Sequence, residues 1–350
     1  MRIKLKDIVL IVIVGLLIAG FGAGHAFAAN LYVVNNSNNT VTVIDTTQHN
    51  AVIETIVVGA SPTGIAYNPT NKKAYVVNRG DNTVTVIDTL TNAVSGTVPV
   101  NPYAWYVATD PITHNIDLNE WVKDLPVNYV YVTSAVNNSV DILITTFDGL
   151  LTLPGGSIKT DLPPGIGAFN LALDVARQEA YVVNCHNNIL SILDLKSKAM
   201  VAKVEDLDDT DGFIGVGVDT GFGKVYTVND MIDVVPVVDV ETRKVTGKIK
   251  VGKTPFNVIV DSFTHRAYVA NRGSNTVSVI DTAKDTVEAT VKVGSEPVSV
   301  ALADGMAYVA NCGDSTISVM DTATNTVVDT IVLPGVKPFR GLCHWSIAAF

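Results

Sequence analysis

Tyr75-Val76-Val77-Asn78, a polar turn, and then Thr83-Val84-Thr85-Val86-Ile87-Asp88-Thr89 form the stretch that decides the fold. Two runs of β-branched and aromatic residues flank a turn built from Gly, Asp and Asn, which is the composition of a β-hairpin. Both runs carry Val, Ile and Thr at consecutive rather than alternate positions. A strand of that kind is covered on both faces, so the hairpin belongs to a sheet with neighbours on either side.

The phrase recurs along the chain. It reads YVVN at Tyr32, Tyr75 and Tyr181, YVTS at Tyr131, YTVN at Tyr226, and YVAN at Tyr268 and Tyr308, with gaps of 43, 56, 50, 45, 42 and 40 residues. The partner phrase recurs as TVTVIDT at Thr40 and Thr83, TVSVIDT at Thr276 and TISVMDT at Thr316. A third strand follows each, such as Val52–Val58 or Val287–Val293. Then comes a Gly/Pro loop (GASP at Gly59, GKTP at Gly252, GSEP at Gly294) and a strand of small apolar residues such as Gly64-Ile65-Ala66. Four strands per period in the low forties is one blade of a β-propeller, and seven phrases predict seven blades. The expected fold is therefore all-β: a seven-bladed propeller of four-stranded antiparallel blades spanning residues 29–350.

Closure is written into the two ends. The first phrase begins at Leu31 without the Pro-x-x-Ile-Ala strand that precedes it elsewhere, and the tail from Lys337-Pro338 to Phe350 offers a strand of that kind. Pro62 lies 13 residues before Tyr75 and Pro255 lies 13 before Tyr268, so Pro338 is the expected anchor of the closing strand. Pairing it with the first phrase leaves no long unpaired edge.

These residues resemble the YVTN-family β-propeller repeat, and the match covers nearly the whole chain after its first 28 residues. The resemblance implies a secreted bacterial or an archaeal cell-surface or surface-layer protein. Wider relatives include lactonases and the propeller domains of nitrite and nitrous-oxide reductases. A shared fold does not carry an activity with it.

The first residues read separately. Arg2, Lys4 and Lys6 lead an apolar run from Ile8 to Phe21, followed by Ala26-Phe27-Ala28. This is the pattern of a secretory signal peptide over residues 1–28, with cleavage expected after Ala28. The run is shorter than the roughly 20 residues a spanning helix needs, so no stable membrane span is expected after cleavage. Removing Arg2, Lys4, Lys6 and Asp7 takes the formal charge from −10 to −12. That charge repels phosphate backbones, so neither duplex nor single-stranded nucleic acid is an expected partner. Of the three cysteines, Cys185 and Cys312 occupy matching positions three blades apart, too distant to pair, whereas Cys312 and Cys343 fall in neighbouring blades.

Functional candidates lie where the repeat is broken. Blade three carries an insertion from Asn115 to Asn128, has Ser134 for the usual Asn and Ile144 for the usual Asp, and is followed by a Gly- and Pro-rich segment from Asp148 to Gly167. Both segments read as surface loops, or as a partner-binding lip. The acidic run Asp206, Asp208, Asp209 and Asp211 offers oxygen donors to Ca²⁺, the one cofactor expectation, although its spacing departs from an EF-hand loop and a solvated loop is the favoured reading. Pro236 falls inside an interior strand of blade five and predicts a distortion there.

The recurring Asn and Asp at the strand ends read as structural groups that bond the next turn. The Gly/Pro loops and the turns after YVVN share one face, and the variable residues there include Arg79, His186, Arg272, Glu296 and Arg340. Trp105, with Tyr103, Phe169, Phe213 and Phe256, lies in register at the channel entrance. Charged and aromatic groups around a funnel suit a small anionic or glycan ligand. The histidines are scattered over turns, where solvation is the expectation. Sequons stand at Asn35, Asn38 and Asn137, read as turn positions open to a glycan.

No GxSxG, HExxH or P-loop occurs. The leading expectation is therefore a non-enzymatic binding or scaffold module with a protein or glycan partner at the cell surface. The alternative is a lactonase-like or redox-accessory enzyme holding a ligand or divalent cation at the central channel.

Overall fold

The Tyr75 phrase is the second strand of a sheet. Lys73–Asn78 lies between the innermost strand, Pro62–Asn68, and Thr83–Asp88, with Ala93–Pro99 outermost. The computed structural model describes residues 30–117, 123–146, 148–149, 152–160, 167–185, 188–205, 207, 212–333 and 346–349, and all elements among them are strands. They form seven antiparallel blades. Residues 1–29, the proposed signal among them, lie outside the described set.

The two-sided apolar pattern has the predicted cause. Second and third strands are buried almost end to end, as in Lys73–Asn78 and Thr276–Asp281. Outermost strands are buried mainly at one inward residue, such as Ile249 in Lys244–Lys250. The innermost strands contact one another in order around the axis, from Pro62–Asn68 through the blades to Pro297–Ala303 and then Ile347–Ala349. Gly64 permits one such approach, since a Cβ there would sit 2.8 Å from the Trp105 carbonyl oxygen.

Ile347–Ala349 pairs antiparallel with Asn30–Asn35 and makes the first blade from both ends of the chain. The register differs from the Pro338 anchoring. Ala348 opposes Tyr32 as Ala66 opposes Tyr75, and Val34 N donates to Ser346 O at 3.0 Å. Ser346-Ile347-Ala348 is thus the counterpart of Gly64-Ile65-Ala66, and that small apolar triplet, not the proline, marks the closing strand.

Blade three departs in two ways. His114–Ile116 adds a short strand that pairs with the start of Leu125–Ser134, so part of the insertion lengthens the inner hairpin. Thr152–Lys159 is the regular outermost strand of this blade, where a loop was expected. Its Pro154-Gly155-Gly156 is turn-like in composition, but an edge strand tolerates both residues.

Blade five confirms the reading of Pro236. The ladder between Lys224–Asn229 and Val234–Asp239 holds only three pairs and ends at Tyr226↔Val237, whereas the matching ladder of blade two has six. On its other side Pro236 stays in register with Lys248. The missing N–H therefore falls on the inward side of the strand.

Three blades are fastened to the next by a buried tyrosine. Tyr32 Oη bonds Asn92 of blade two, Tyr75 Oη meets Thr145 Oγ1 of blade three at 3.2 Å, and Tyr226 Oη donates to Asp285 Oδ1 of blade six at 2.8 Å. Burial holds these phenols above their usual range.

Candidate functional site on the loop face

Two concentric sets of residues shape the face where the Gly/Pro loops lie. Ser61, Tyr103, Thr254 and Glu296 each precede an innermost strand and adopt φ of 49°, 57°, 50° and 51°. This left-handed geometry is uncommon without glycine. Their carbonyls fix it by accepting from the residue that follows the hairpin Asn, or Ser134 in blade three: Arg79 N to Ser61 O at 3.1 Å, Ala135 N to Tyr103 O at 3.1 Å, Arg272 N to Thr254 O at 2.9 Å, and Cys312 N to Glu296 O at 3.0 Å. The framework is constant around the ring and its side chains vary, which is how a repeat scaffold presents a distinct surface.

The Asn residues that support this frame are buried. Asn78 Nδ2 donates to Thr83 Oγ1 at 3.0 Å and Thr85 Oγ1 at 2.8 Å, and Asn271 and Asn311 repeat the arrangement with Thr276 and Ser278, and Thr316 and Ser318. Their role is structural, and it runs through hydroxyls of the adjacent strand instead of turn backbone. The Asp set does bond the turns, as in Asp88 Oδ1 with Leu90 N at 2.9 Å. Blade three substitutes both partners: Asp141 takes the hydroxyl position and accepts from Asn101 N at 2.6 Å. Burial raises the Asp141 carboxyl above its usual value, against the pull of the Asn101 bonds.

Four of the six proposed ligand residues are described, and they sort into two pairs. The Arg79 guanidinium stacks over the Trp105 ring at 4.4 Å and reaches the Tyr103 ring at 5.9 Å. Tyr103 is 54% exposed, so this cation–aromatic trio has an open face. Arg272 pairs with Glu296 at 2.9 Å and lies 5.9 Å from the Phe256 ring. His186 and Arg340 lie outside the described residues, as do the proposed calcium ligands Asp206, Asp208, Asp209 and Asp211.

The aromatic register leads inward to a packed layer. Phe169, Ile214, Phe256 and Val298 are buried in one cluster with Trp105 against it, and Trp105 and Phe169 are 4.7 Å apart. These are the second residues of successive innermost strands, and a bulge at this point recurs in blades four to seven. Phe169 and Phe256 are buried in this layer, so they pack instead of lining an entrance.

Two further expectations change. Asn35 is a buried strand residue whose Nδ2 donates to Thr42 Oγ1 at 2.7 Å, so it is not the open turn position a glycan needs. Asn38 is exposed and Asn137 half-buried, both in turns. His114 and His265, read as solvated, each face a buried aspartate on the opposite end of the ring: Nε2 to Asp110 at 2.7 Å and Nδ1 to Asp219 at 3.1 Å. Cys312 is disulfide-bonded while Cys185 keeps its thiol. Among the described residues no group of three or more His, Cys, Asp or Glu is placed to hold a metal ion.

The chain is a seven-bladed β-propeller by likeness to solved structures as well as by topology. It is similar to hydrazine synthase of Kuenenia stuttgartiensis at 16% identity and a TM-score of 0.65, covering 88% of this chain and 93% of that one. It is similar to apo AztD from Citrobacter koseri at 14% identity and a TM-score of 0.57, over 92% and 98% of the two chains. It is also similar to the dihydro-heme d1 dehydrogenase NirN in complex with DHE, at 13% identity and 0.58, over 90% and 76%. No family model matches the sequence, and no curated protein does. At these identities the likeness speaks for the fold.

Sequence reasoning missed the other end of the channel. A cavity of about 540 Å³ opens there, among the C-terminal ends of the innermost strands of blades six, seven, one and two. The sequence held only Asp261 at the end of one of those strands and Asp304 just past another, and neither breaks the repeat.

Proposed function

We propose that the chain is a secreted or cell-surface propeller of the YVTN type that binds a glycan or protein partner on its loop face beside blade three. The observation that carries the reading is the Arg79–Tyr103–Trp105 trio. An exposed tyrosine, a half-buried tryptophan and a guanidinium stacked between them offer a flat apolar surface with hydrogen-bond donors at its edge. This is the chemistry that recognises a sugar ring or an acidic aromatic-rich loop. Tyr103 and Trp105 belong to the inner part of the blade that departs most from the repeat, and Arg79 reaches them from blade two. The basic and apolar leader and the acidic net charge support export to an aqueous compartment.

A glycan array probed with the chain starting at Ala29 tests the reading. Retention of at least one glycan class, weakened tenfold or more by Tyr103→Ala and by Arg79→Ala, is expected. Retention that survives both changes would move the partner off this surface. Amino-terminal sequencing of the exported protein is expected to begin at Ala29.

A further inference from the structure

The cavity at the far end of the channel differs in its charge from the rest of that face. The position at the end of each innermost strand, or just past it in blade three, is occupied by Asn68, Asp110, Asp174, Asp219, Asp261 and Ala303 in blades two to seven. Three of the four aspartates have a basic side chain beside them. Asp110 has His114 at 2.7 Å, Asp174 has Arg177 at 3.4 Å, and Asp219 has His265 at 3.1 Å. Asp261 takes neutral donors instead: Phe263 N at 2.9 Å, Thr264 N at 3.3 Å and Thr264 Oγ1 at 2.6 Å. The cavity lies beside this aspartate. Among the described residues Asp304 is its only other charged lining residue, and none of the described Lys, Arg or His lines it. Its remaining walls are mostly apolar, with Ile259, Leu302, Met306 and Tyr67 supplying the large side chains. The Trp105–Phe169 pair is not among its lining residues, so the cavity is separate from the loop-face aromatics.

We infer that this cavity is a second binding site, independent of the loop face, for a ligand with a cationic nitrogen head and an apolar body. A volume of about 540 Å³ falls within the roughly 300–1,000 Å³ range of small-molecule sites. The apolar walls bury the body, and the two carboxylates without a basic neighbour in the lining select an ammonium or guanidinium over an anion. Asn68 occupies the Asp261 position in blade two and caps its own turn through Thr70 N at 2.9 Å, so an amide at this place is compatible with the fold.

Calorimetric titration of the chain starting at Ala29 with n-octylammonium, n-octanol and n-octanoate tests the site, since the three share a body and differ in the head. The ammonium is expected to bind at least tenfold tighter than the alcohol, and the carboxylate weakest. The double change Asp261→Asn and Asp304→Asn should bring the ammonium to the level of the alcohol, while Asp314→Asn on the loop face leaves it unchanged. Equal binding of ammonium and alcohol, no binding of any probe, or a preference that survives the double change in a variant with unaltered thermal unfolding would overturn the proposal.

Discussion

Asn78 shows how a single residue holds a blade together. Its side chain is buried and donates to Thr83 and Thr85, so removing it strands two hydroxyls. Asn78→Ala is expected to cost about 1–3 kcal/mol in chemical denaturation, the range for a buried group that loses its partner; an unchanged midpoint would argue against the role. The turn aspartates act at the same scale but respond to pH. Hydrogen bonds hold their carboxyls below the ordinary 3.8: Thr47 for Asp45, Lys73 for Asp88, Ser197 for Asp194, Thr242 for Asp239, Lys284 for Asp281 and the Thr324 amide for Asp321. A depressed carboxyl stabilises the fold above its unfolded value and loses that stabilisation as pH falls through the folded one. The melting temperature should therefore stay level down to about pH 4 and decline below it. A curve that stays flat to pH 2.5 would contradict this. The Asp–turn bonds were legible because donor and acceptor lie two or three residues apart. The tyrosine fastenings were not, since Tyr226 and Asp285 are 59 residues apart.

At the scale of the strand, repetition supplied most of what the sequence disclosed. Second and third strands read clearly because seven copies of one two-sided pattern reinforce one another. Thr152–Lys159 did not, because an edge strand is free to carry Pro and Gly and so imitates a loop. The closing strand was found but misplaced, because proline was a more conspicuous marker than the triplet Ser346-Ile347-Ala348. Blade five offers a strand-level prediction. Its ladder stops at Tyr226↔Val237, next to Pro236, where Ser191, Ser278 and Ser318 stand in other blades. Peptides over Thr227–Asn229 are expected to exchange amide hydrogens faster than those over Val76–Asn78. Pro236→Ser should slow them by restoring the ladder donor. Equal rates in the parent protein would show that the interruption does not loosen the blade.

For the whole molecule, the ring is what turns marginal blades into one cooperative unit, since a single four-stranded blade leaves both its faces bare. Cys312 is disulfide-bonded and Cys185 keeps its thiol, so peptide mapping without reduction is expected to join the Cys312 peptide to that of Cys343 and thereby tie the tail to blade seven. A link to a second chain would contradict an intramolecular seam. The loop-face site was only partly legible, because Arg79 and Trp105 meet across two blades and no local pattern records the contact. The far cavity was less legible still, because it exists only when four innermost strands converge.

Closure by the tail is the central claim, and unfolding of a chain truncated after Trp345 tests it most directly. The truncation removes buried Ile347, worth about 2 kcal/mol, together with ladder hydrogen bonds of about 1 kcal/mol each, and it exposes the inner edge of Asn30–Asn35. The account predicts a markedly lower denaturation midpoint, with amide protection lost first in Asn30–Asn35 and Thr40–Asp45. An unchanged midpoint with blade one still protected would mean that the ring is not held shut by its last strand.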